Sequence, residues 1–152
     1  MFQIDEALTA FLHSGIAAQV GSADAHGRPQ VVIAWGPRLN DDQSLSVFVD
    51  TARAGKTLAN LATNRNVALI CADPISYRSV QFKGHWLSAS APNEVERAWV
   101  QRHRELFASA LALVGDNPEA IRNMWMQDTT RIDFTVDEAY DQTPGPLAGR
   151  PL

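Results

Sequence analysis

A succession of short apolar strands joined by tight turns is the feature of this sequence that most limits its fold. Strands are predicted at 16–23, 28–35, 45–50, 66–72 and 77–86, with one short helix at about 54–63. Gly27 can adopt the positive φ that the first turn needs, and a second turn falls at 40–43. Turns of this length join antiparallel strands. The pattern therefore favours a closed antiparallel barrel over a parallel doubly wound sheet.

Helices and one further strand complete the predicted fold. An amphipathic helix is expected at 4–12, and Asn93 and Glu96 have the spacing of a capping box that starts a long helix. A shorter helix is predicted at 118–126. The buried stripe of the long helix is predicted to contain Val95, Trp99, Leu106, Phe107, Ala110 and Leu113. Polar and apolar residues alternate over 129–136, which predicts a sixth strand. The expected fold is mainly β with flanking helices.

Composition and charge exclude several classes of protein. The 152-residue chain is 45% hydrophobic and 20% charged and has no apolar run of bilayer length, so no membrane association is expected. Residues 1–15 contain Asp5 and Glu6 but no Lys or Arg, unlike a secretion signal, and a cytoplasmic location is expected. A net charge of −4 gives no electrostatic attraction to nucleic acid, so no nucleic-acid partner is predicted.

Cysteine and histidine usage gives no sign of thiol or metal chemistry. The single Cys71 lies in an apolar run and is expected to be a small buried hydrophobic residue. His13, His26, His85 and His103 lack the spacing of metal ligands, so no metal site is predicted. The catalytic residues stay unassigned, with His85 considered as a general base.

Two cations and a hydroxyl lie at the predicted start of the short helix. Arg53, Lys56 and Thr57 follow closely on the apolar strand that ends at Asp50. The free N–H groups and the positive end of the helix dipole point out of the first turn, so anions bind well there. We therefore predict that these three residues bind a phosphate group.

Three segments carry a resemblance to a known family. They are the strand, loop and helix that contain Lys56, the run N-R-N-V-A-L at 64–69 and the strand R-S-V-Q-F-K-G at 78–84. In this order they resemble the pyridoxamine 5′-phosphate oxidase-like family, the FMN-binding split barrels. The resemblance implies a six-stranded antiparallel split β-barrel, FMN as the cofactor, and a homodimer that holds FMN in two clefts at the subunit interface.

The resemblance also implies which residues contact FMN. Lys56 corresponds to the basic residue at the phosphate, and Thr57 follows it. Ser79 stands where the oxidases have a glutamine near the flavin. The implied cofactor-binding residues are Gln30, Val32, Ile33, Ala34, Trp35, Val49, Asp50, Thr51, Arg53, Lys56, Thr57 and Ser79.

Several charged residues of the family pattern are missing. Gln30 and Gly55 stand in place of two arginines, of which Arg53 could replace one, and Trp35 stands in place of the lysine that opens the substrate site. Pyridoxine chemistry is therefore not expected. Trp35 is expected either to line the pocket or to pack in the core, whereas Trp86, Trp99 and Trp125 are expected in the core.

Two classes of function stay open. The first is an FMN-dependent oxidoreductase that transfers hydride to or from an unidentified small molecule, or the same enzyme with the deazaflavin F420 as its cofactor. Few catalytic side chains are needed, because the cofactor carries the chemistry. The second is a non-catalytic split-barrel protein that binds FMN or haem, or binds no cofactor. Flavin absorption bands in the freshly purified protein, followed by their bleaching when NADH or NADPH is added, would distinguish the two classes.

The C-terminal segment 141–152 is rich in Pro and Gly and is not expected to form a regular element by itself. Proline-locked segments lose little entropy when they dock. We therefore predict that this tail is ordered and lies across a neighbouring subunit. The chain as a whole, 1–152, is expected to be a single domain.

Overall fold

A computed structural model shows the fold of the chain and describes residues 2–124 and 126–152. The prediction for Trp125 lies outside the described residues. In chain order the elements are α1 (Glu6–Leu12), β1 (Ala17–Ala23), β2 (Pro29–Leu39), β3 (Leu45–Asp50), α2 (Thr51–Asn64), β4 (Asn66–Ala72), β5 (Ser79–Ser90), α3 (Glu94–Leu113), α4 (Glu119–Arg122), β6 (Thr129–Phe134), β7 (Glu138–Asp141) and β8 (Arg150–Pro151).

Six of the strands close into a barrel. β1, β2, β3, β6, β5 and β4 pair in this order, and β4 returns to β1, with every pairing antiparallel. Alternate residues of each strand point inward and fill the interior with apolar side chains. Fully buried residues of this interior include Val20, Val47, Leu69, Phe82 and Phe134. The predicted six-stranded antiparallel split barrel is confirmed.

β5 pairs with β4 on one edge and with β6 and β7 on the other. Its backbone comes so close to the carbonyl of Thr135 that a Cβ atom at Gly84 would collide with it. Only glycine lacks that atom. The glycine at the end of the R-S-V-Q-F-K-G strand is therefore a steric requirement of the barrel.

The tail folds back onto its own chain. The Gly149 N–H donates to the Asp141 carbonyl (2.6 Å), and the Leu152 N–H donates to the Ala139 carbonyl (3.0 Å). The sequence did not predict β7, and the tail gains the short strand β8 because β7 supplies its partner. Contact between the tail and a neighbouring subunit stays a prediction.

Three helices differ from the sequence prediction in their bounds. α1 begins at Glu6 rather than at residue 4, because the Asp5 side chain caps it there by accepting from the Leu8 N–H (2.8 Å). α2 begins at Thr51, because the Asp50 carboxylate accepts a hydrogen bond from the Ala52 N–H (3.0 Å) and so caps the helix at an earlier residue than predicted. α4 covers only Glu119–Arg122, shorter than the predicted 118–126.

The long helix α3 starts as predicted but buries a different face. The capping box is confirmed, with the Asn93 side chain accepting from the Glu96 N–H (2.9 Å). Val95, Leu106 and Leu113 were predicted to be buried, but they are 74%, 37% and 78% exposed, whereas Ala110 is buried as predicted. The prediction was wrong because the Glu96 carboxylate turns inward to Arg38 and Arg131. This rotation buries Val100, His103 and Ala108 instead.

A second hydrophobic cluster lies outside the barrel, where α3 and α4 cover part of β2 and β3. Its buried members are Trp35, Phe48, Val100, Ala108 and Ile121. Trp99 is partly buried against this cluster and donates from Nε1 to the Gly36 carbonyl (2.9 Å). Trp86 is partly buried against the barrel core. Cys71 is fully buried as predicted, and burial raises the pKa of its thiol.

Candidate functional site

The start of α2 is held by hydrogen bonds to the segment before β6 and to the Asp50 carboxylate at the end of β3. The Thr51 N–H donates to the Asp128 carbonyl just before β6 (3.1 Å). One Asp50 carboxylate oxygen caps the helix at Ala52, and the other lies 3.5 Å from the Arg53 Nε. Arg53 is therefore held beside Asp50, with most of its side chain in solvent.

The three residues predicted to bind phosphate lie on two faces of α2. Arg53 and Lys56 are exposed, and Lys56 forms no ion pair within the described part of the chain. A side chain at Gly55 would meet open space. Thr57 faces the barrel, is fully buried, and has a hydroxyl without a partner among residues 2–124 and 126–152. Arg53 and Lys56 thus present a cationic surface that Thr57 does not share.

A cavity of 290 Å³ begins at Arg53 and follows β2; we call it the β2 cavity. It joins the charged start of α2 to the apolar outer face of β2. Its lining residues are Gln30, Val31, Val32, Ile33, Trp35, Asp50, Arg53, Met124 and Met126. Six of these were predicted as cofactor-binding residues. Val31 and the two methionines were missed, and the methionines come from the segment after α4, which only the tertiary fold brings to β2.

The alternation of side chains along β2 decides what each residue can contribute. Val32 and Ala34 point into the barrel and are 7% and 1% exposed, so they offer mainly backbone to the outer face. Val31 and Ile33 point outward and are 55% and 41% exposed. Trp35 lies on the same outer face but is covered by α3 and α4.

The other six predicted site residues do not line the β2 cavity: Ala34, Val49, Thr51, Lys56, Thr57 and Ser79. Val49 is fully buried inside the barrel. Ser79 lies at the start of β5, where its hydroxyl donates to the Tyr77 carbonyl (3.0 Å) and its N–H donates to the Thr143 hydroxyl (3.1 Å). Within one chain, Ser79 and Arg53 do not line the same cavity.

Side chains from α3 surround the Trp35 indole. The ring centres of His103 and Phe107 lie 6.1 and 6.3 Å from that of Trp35, both edge-on, and the Arg104 guanidinium lies 5.6 Å from it. His103 is 4% exposed. Burial lowers the pKa of His103 to about 4, against a smaller opposing effect of the Ile16 backbone. The imidazole next to Trp35 is therefore uncharged at neutral pH.

His85, which was considered as a general base, lies at a different place on the barrel. Its Nδ1 is 2.7 Å from an Asp137 carboxylate oxygen, and both side chains are well exposed. The pair borders a cleft of 510 Å³ on the outer face of β1, β2, β4 and β5, which we call the β5 cleft. His85 does not line the β2 cavity.

Metal-ligand clusters and membrane-spanning helices are both absent from the described residues. No group of three or more His, Cys, Asp or Glu side chains in 2–124 and 126–152 could hold a metal ion. None of the helices in these two ranges combines the length and apolar character needed to span a bilayer.

Comparison with known proteins identifies the family. The family model described as pyridoxamine 5′-phosphate oxidase matches residues 4–143. No curated protein matches the sequence.

Solved structures share the fold at low sequence identity. An F420 reductase is 17% identical and has a TM-score of 0.60, with 90% of this chain and 98% of that chain covered. An FMN-binding protein from Syntrophomonas wolfei is 9% identical, with coverages of 88% and 82% and a TM-score of 0.51. HutZ, the heme storage protein from Vibrio cholerae, is 17% identical, with coverages of 92% and 95% and a TM-score of 0.50. Since the family model spans nearly the whole barrel, the chain belongs to the pyridoxamine 5′-phosphate oxidase family.

Proposed function

We propose that the protein is an FMN-dependent oxidoreductase that acts on a small organic molecule. The observation that carries this proposal is the β2 cavity, which leads from Arg53 at the start of α2 to Trp35 on the outer face of β2. FMN has an anionic end, a hydroxylated chain and a flat ring. These three parts match the chemistry along the cavity in the same order.

The residues present fit each part of FMN. Arg53 and Lys56 would hold the phosphate, because both are exposed cations on the first turns of α2. The Asp50 carboxylate lines the cavity next to Arg53 and would accept hydrogen bonds from the ribityl hydroxyls. Ile33 and Trp35 would border the ring. Bound FMN would supply hydride transfer, while the chain orients the substrate and excludes water.

We also propose that a second copy of the chain completes the site. The volume of 290 Å³ is near the lower limit of ligand pockets, which span about 300–1,000 Å³. Val31 and Ile33 leave an apolar strip on β2 exposed beside this cavity. A homodimer that pairs these strips would cover them and supply a second wall. An obligate interface of this kind buries roughly 2,000 Å² or more.

A charged side chain introduced into the exposed apolar strip of β2 tests whether the chain forms this dimer. We expect Val31→Glu to give a folded monomer in sedimentation velocity at micromolar concentration, because a carboxylate cannot be buried there without a partner. Val95→Glu is the matched control, since Val95 is 74% exposed on α3, away from β2. A wild-type chain that sediments as a monomer would overturn this part of the proposal.

The cofactor and reaction are tested by the absorption spectrum of freshly purified protein. We expect flavin bands that bleach when NADH or NADPH is added without oxygen. A deazaflavin spectrum would identify F420 as the cofactor instead of FMN. This alternative is supported by an F420 reductase of the same fold, and the same two cations would suit the phosphate of F420. A haem spectrum, or flavin bands that no nicotinamide cofactor bleaches, would favour the non-catalytic binding protein and contradict the proposal.

A further inference from the structure

A small second cavity adjoins the β2 cavity at the covered end of β2. Its volume is 130 Å³, and we call it the α4 cavity. It shares Ile33, Trp35 and Met124 with the β2 cavity. Phe107 of α3 and Ile121 of α4 form further parts of its wall. A molecule in the α4 cavity would therefore contact the same side chains that border the β2 cavity.

Arg104 holds the wall of the α4 cavity in position. It donates from the guanidinium to the carbonyls of Ile121 (2.8 Å) and Met124 (2.6 Å) while it lies over the Trp35 ring. Carbonyls at the end of a helix lack partners within the helix, so these bonds tie the end of α4 to α3. The segment from Ile121 to Met124 is thus held at a fixed distance from Trp35, and the cavity is part of the folded structure.

Among the described residues, no charged side chain lines the α4 cavity, and Gln19 has the one amide side chain in its wall. His103 lies edge-on to Trp35, which lines the cavity. This imidazole is buried and uncharged at neutral pH. The Arg104 guanidinium beside Trp35 does not line the cavity and already donates to the Ile121 and Met124 carbonyls. A charged group that entered would therefore lose its hydration without an ion partner in the cavity wall, which is strongly unfavourable. The lining therefore selects uncharged groups.

The volume limits the size of the occupant. An apolar protein cavity of about 150 Å³ lined by aliphatic and aromatic side chains binds one benzene molecule. The α4 cavity, at 130 Å³, is of similar size and has a similar lining. It has room for one six-membered ring and not for a fused pair of rings.

We propose that the α4 cavity is the substrate pocket of this protein, and that it takes the ring of an uncharged, single-ring molecule rather than a phosphorylated one. This inference rests on the proposed function, because the pocket is assigned to a substrate through its shared wall with the candidate FMN site. It narrows the unidentified small molecule to one chemical class.

Two single-ring probes of similar size, one neutral and one anionic, test the pocket. Benzyl alcohol and benzoate are titrated separately into the full chain, with and without FMN, and the methyl NMR signals of Ile121 and Met124 are followed. We expect benzyl alcohol to shift both signals saturably and benzoate to bind at least about tenfold more weakly. Benzoate binding as tight as that of benzyl alcohol would overturn the inference.

Variants that fill or enlarge the cavity make the test specific. Ala17→Leu places a larger side chain in the cavity lining and should weaken benzyl alcohol binding by about tenfold or more. Ala59→Leu, the same change on the exposed face of α2, should leave it unchanged. Phe107→Ala should admit 2-naphthol, a two-ring alcohol that the wild type rejects. Unchanged affinity in Ala17→Leu, or equal 2-naphthol binding by both proteins, would contradict the assignment.

FMN titration of the same samples separates this inference from the proposed function. Benzyl alcohol binding without any FMN binding would overturn the proposed function and leave an apolar ring site. FMN binding without any benzyl alcohol binding would overturn the substrate pocket and leave the flavin site. Ala17→Leu should change FMN affinity by less than about twofold, because Ala17 does not line the β2 cavity.

Discussion

The interior of the barrel and the layer outside β2 are packed in different ways. Inside the barrel, the cluster that includes Leu69 and Phe82 consists of buried apolar side chains. Outside β2, the cluster around Trp35 contacts buried polar groups. In the described part of the chain, both ring nitrogens of His103 and the Nε of Arg104 have no hydrogen-bond partner.

This difference separates the part of the molecule that maintains the fold from the part that can bind. A buried polar group left unpaired costs about 1–3 kcal/mol. Among the described residues the barrel side also has such groups, the Thr57 hydroxyl and the Trp86 Nε1, but three unpaired nitrogens lie together beside Trp35. Both cavities of the candidate site touch Trp35, which belongs to the outer layer. The barrel strand β2 provides one wall of both cavities, and the layer outside it provides aromatic and sulfur-containing side chains.

The largest expected effect is on the free energy of unfolding, when a phenylalanine from each region is replaced by alanine. Phe82→Ala should lower the free energy of unfolding by about 3–5 kcal/mol, because Phe82 is fully buried in the barrel and the closed sheet cannot fill the void. Phe107→Ala should cost about 1–2 kcal/mol, since Phe107 is only partly buried. Urea unfolding followed by circular dichroism measures both. Equal losses would show that the two regions do not differ in this way.

The next effect concerns pH and the buried His103. In the unfolded chain this imidazole takes up a proton as the pH falls through 6.5, but in the folded chain only near pH 4. The unfolded state thus binds more protons in this window, and the free energy of unfolding decreases as the pH falls from 6.5 to about 4. The loss is on the order of 3 kcal/mol and is complete below that window.

His103→Leu should remove this part of the pH dependence. The measurement is the difference in free energy of unfolding between wild type and variant at several pH values. His13, whose pKa burial also lowers, is present in both proteins and cancels in the difference. A difference that stays constant between pH 7 and pH 4 would mean that His103 is not held neutral by the outer layer.

A smaller effect tests how the two regions are joined. The buried Glu96 carboxylate accepts hydrogen bonds from Arg131 (2.6 Å) and Arg38 (3.1 Å), and it links α3 to β6 and β2. Glu96→Gln should cost about 2 kcal/mol, less than the loss of a fully buried pair, because both arginines remain partly exposed. Glu94→Gln, at an exposed position in the same turn, is the control. Thermal unfolding that is unchanged by Glu96→Gln would show that the link is not needed.

Local patterns in the sequence were sufficient to predict the barrel. Alternating apolar residues, the turn at Gly27 and the capping box of Asn93 and Glu96 are short-range signals, and the structure has each of them. The buried face of α3 could not be predicted in this way. Which side of that helix packs on the barrel depends on Arg38 and Arg131, which are distant in sequence and reach Glu96 only in the folded chain.

The candidate site was predictable only in part, for the same reason. Arg53 follows the strand that ends at Asp50, so its place near the start of α2 followed from the strand and helix pattern, whereas Asp50 was assigned to the site only through the family resemblance. Val31 was missed because a regular strand gives no sign of which exposed residue borders a cavity. Met124 was missed because α4 and the segment after it reach β2 only through the tertiary fold.

The central claim is that the β2 cavity holds FMN by its phosphate at the start of α2. Its most direct test is a titration of the full chain with FMN, in which quenching of the flavin fluorescence measures binding. We predict saturable, equimolar binding that Lys56→Ala weakens by about tenfold, since one charge-assisted hydrogen bond is lost. Arg97→Ala, which removes an exposed cation on α3, should change the affinity by less than about twofold. Equal FMN affinity of Lys56→Ala and wild type, or no binding by the wild type, would contradict the account.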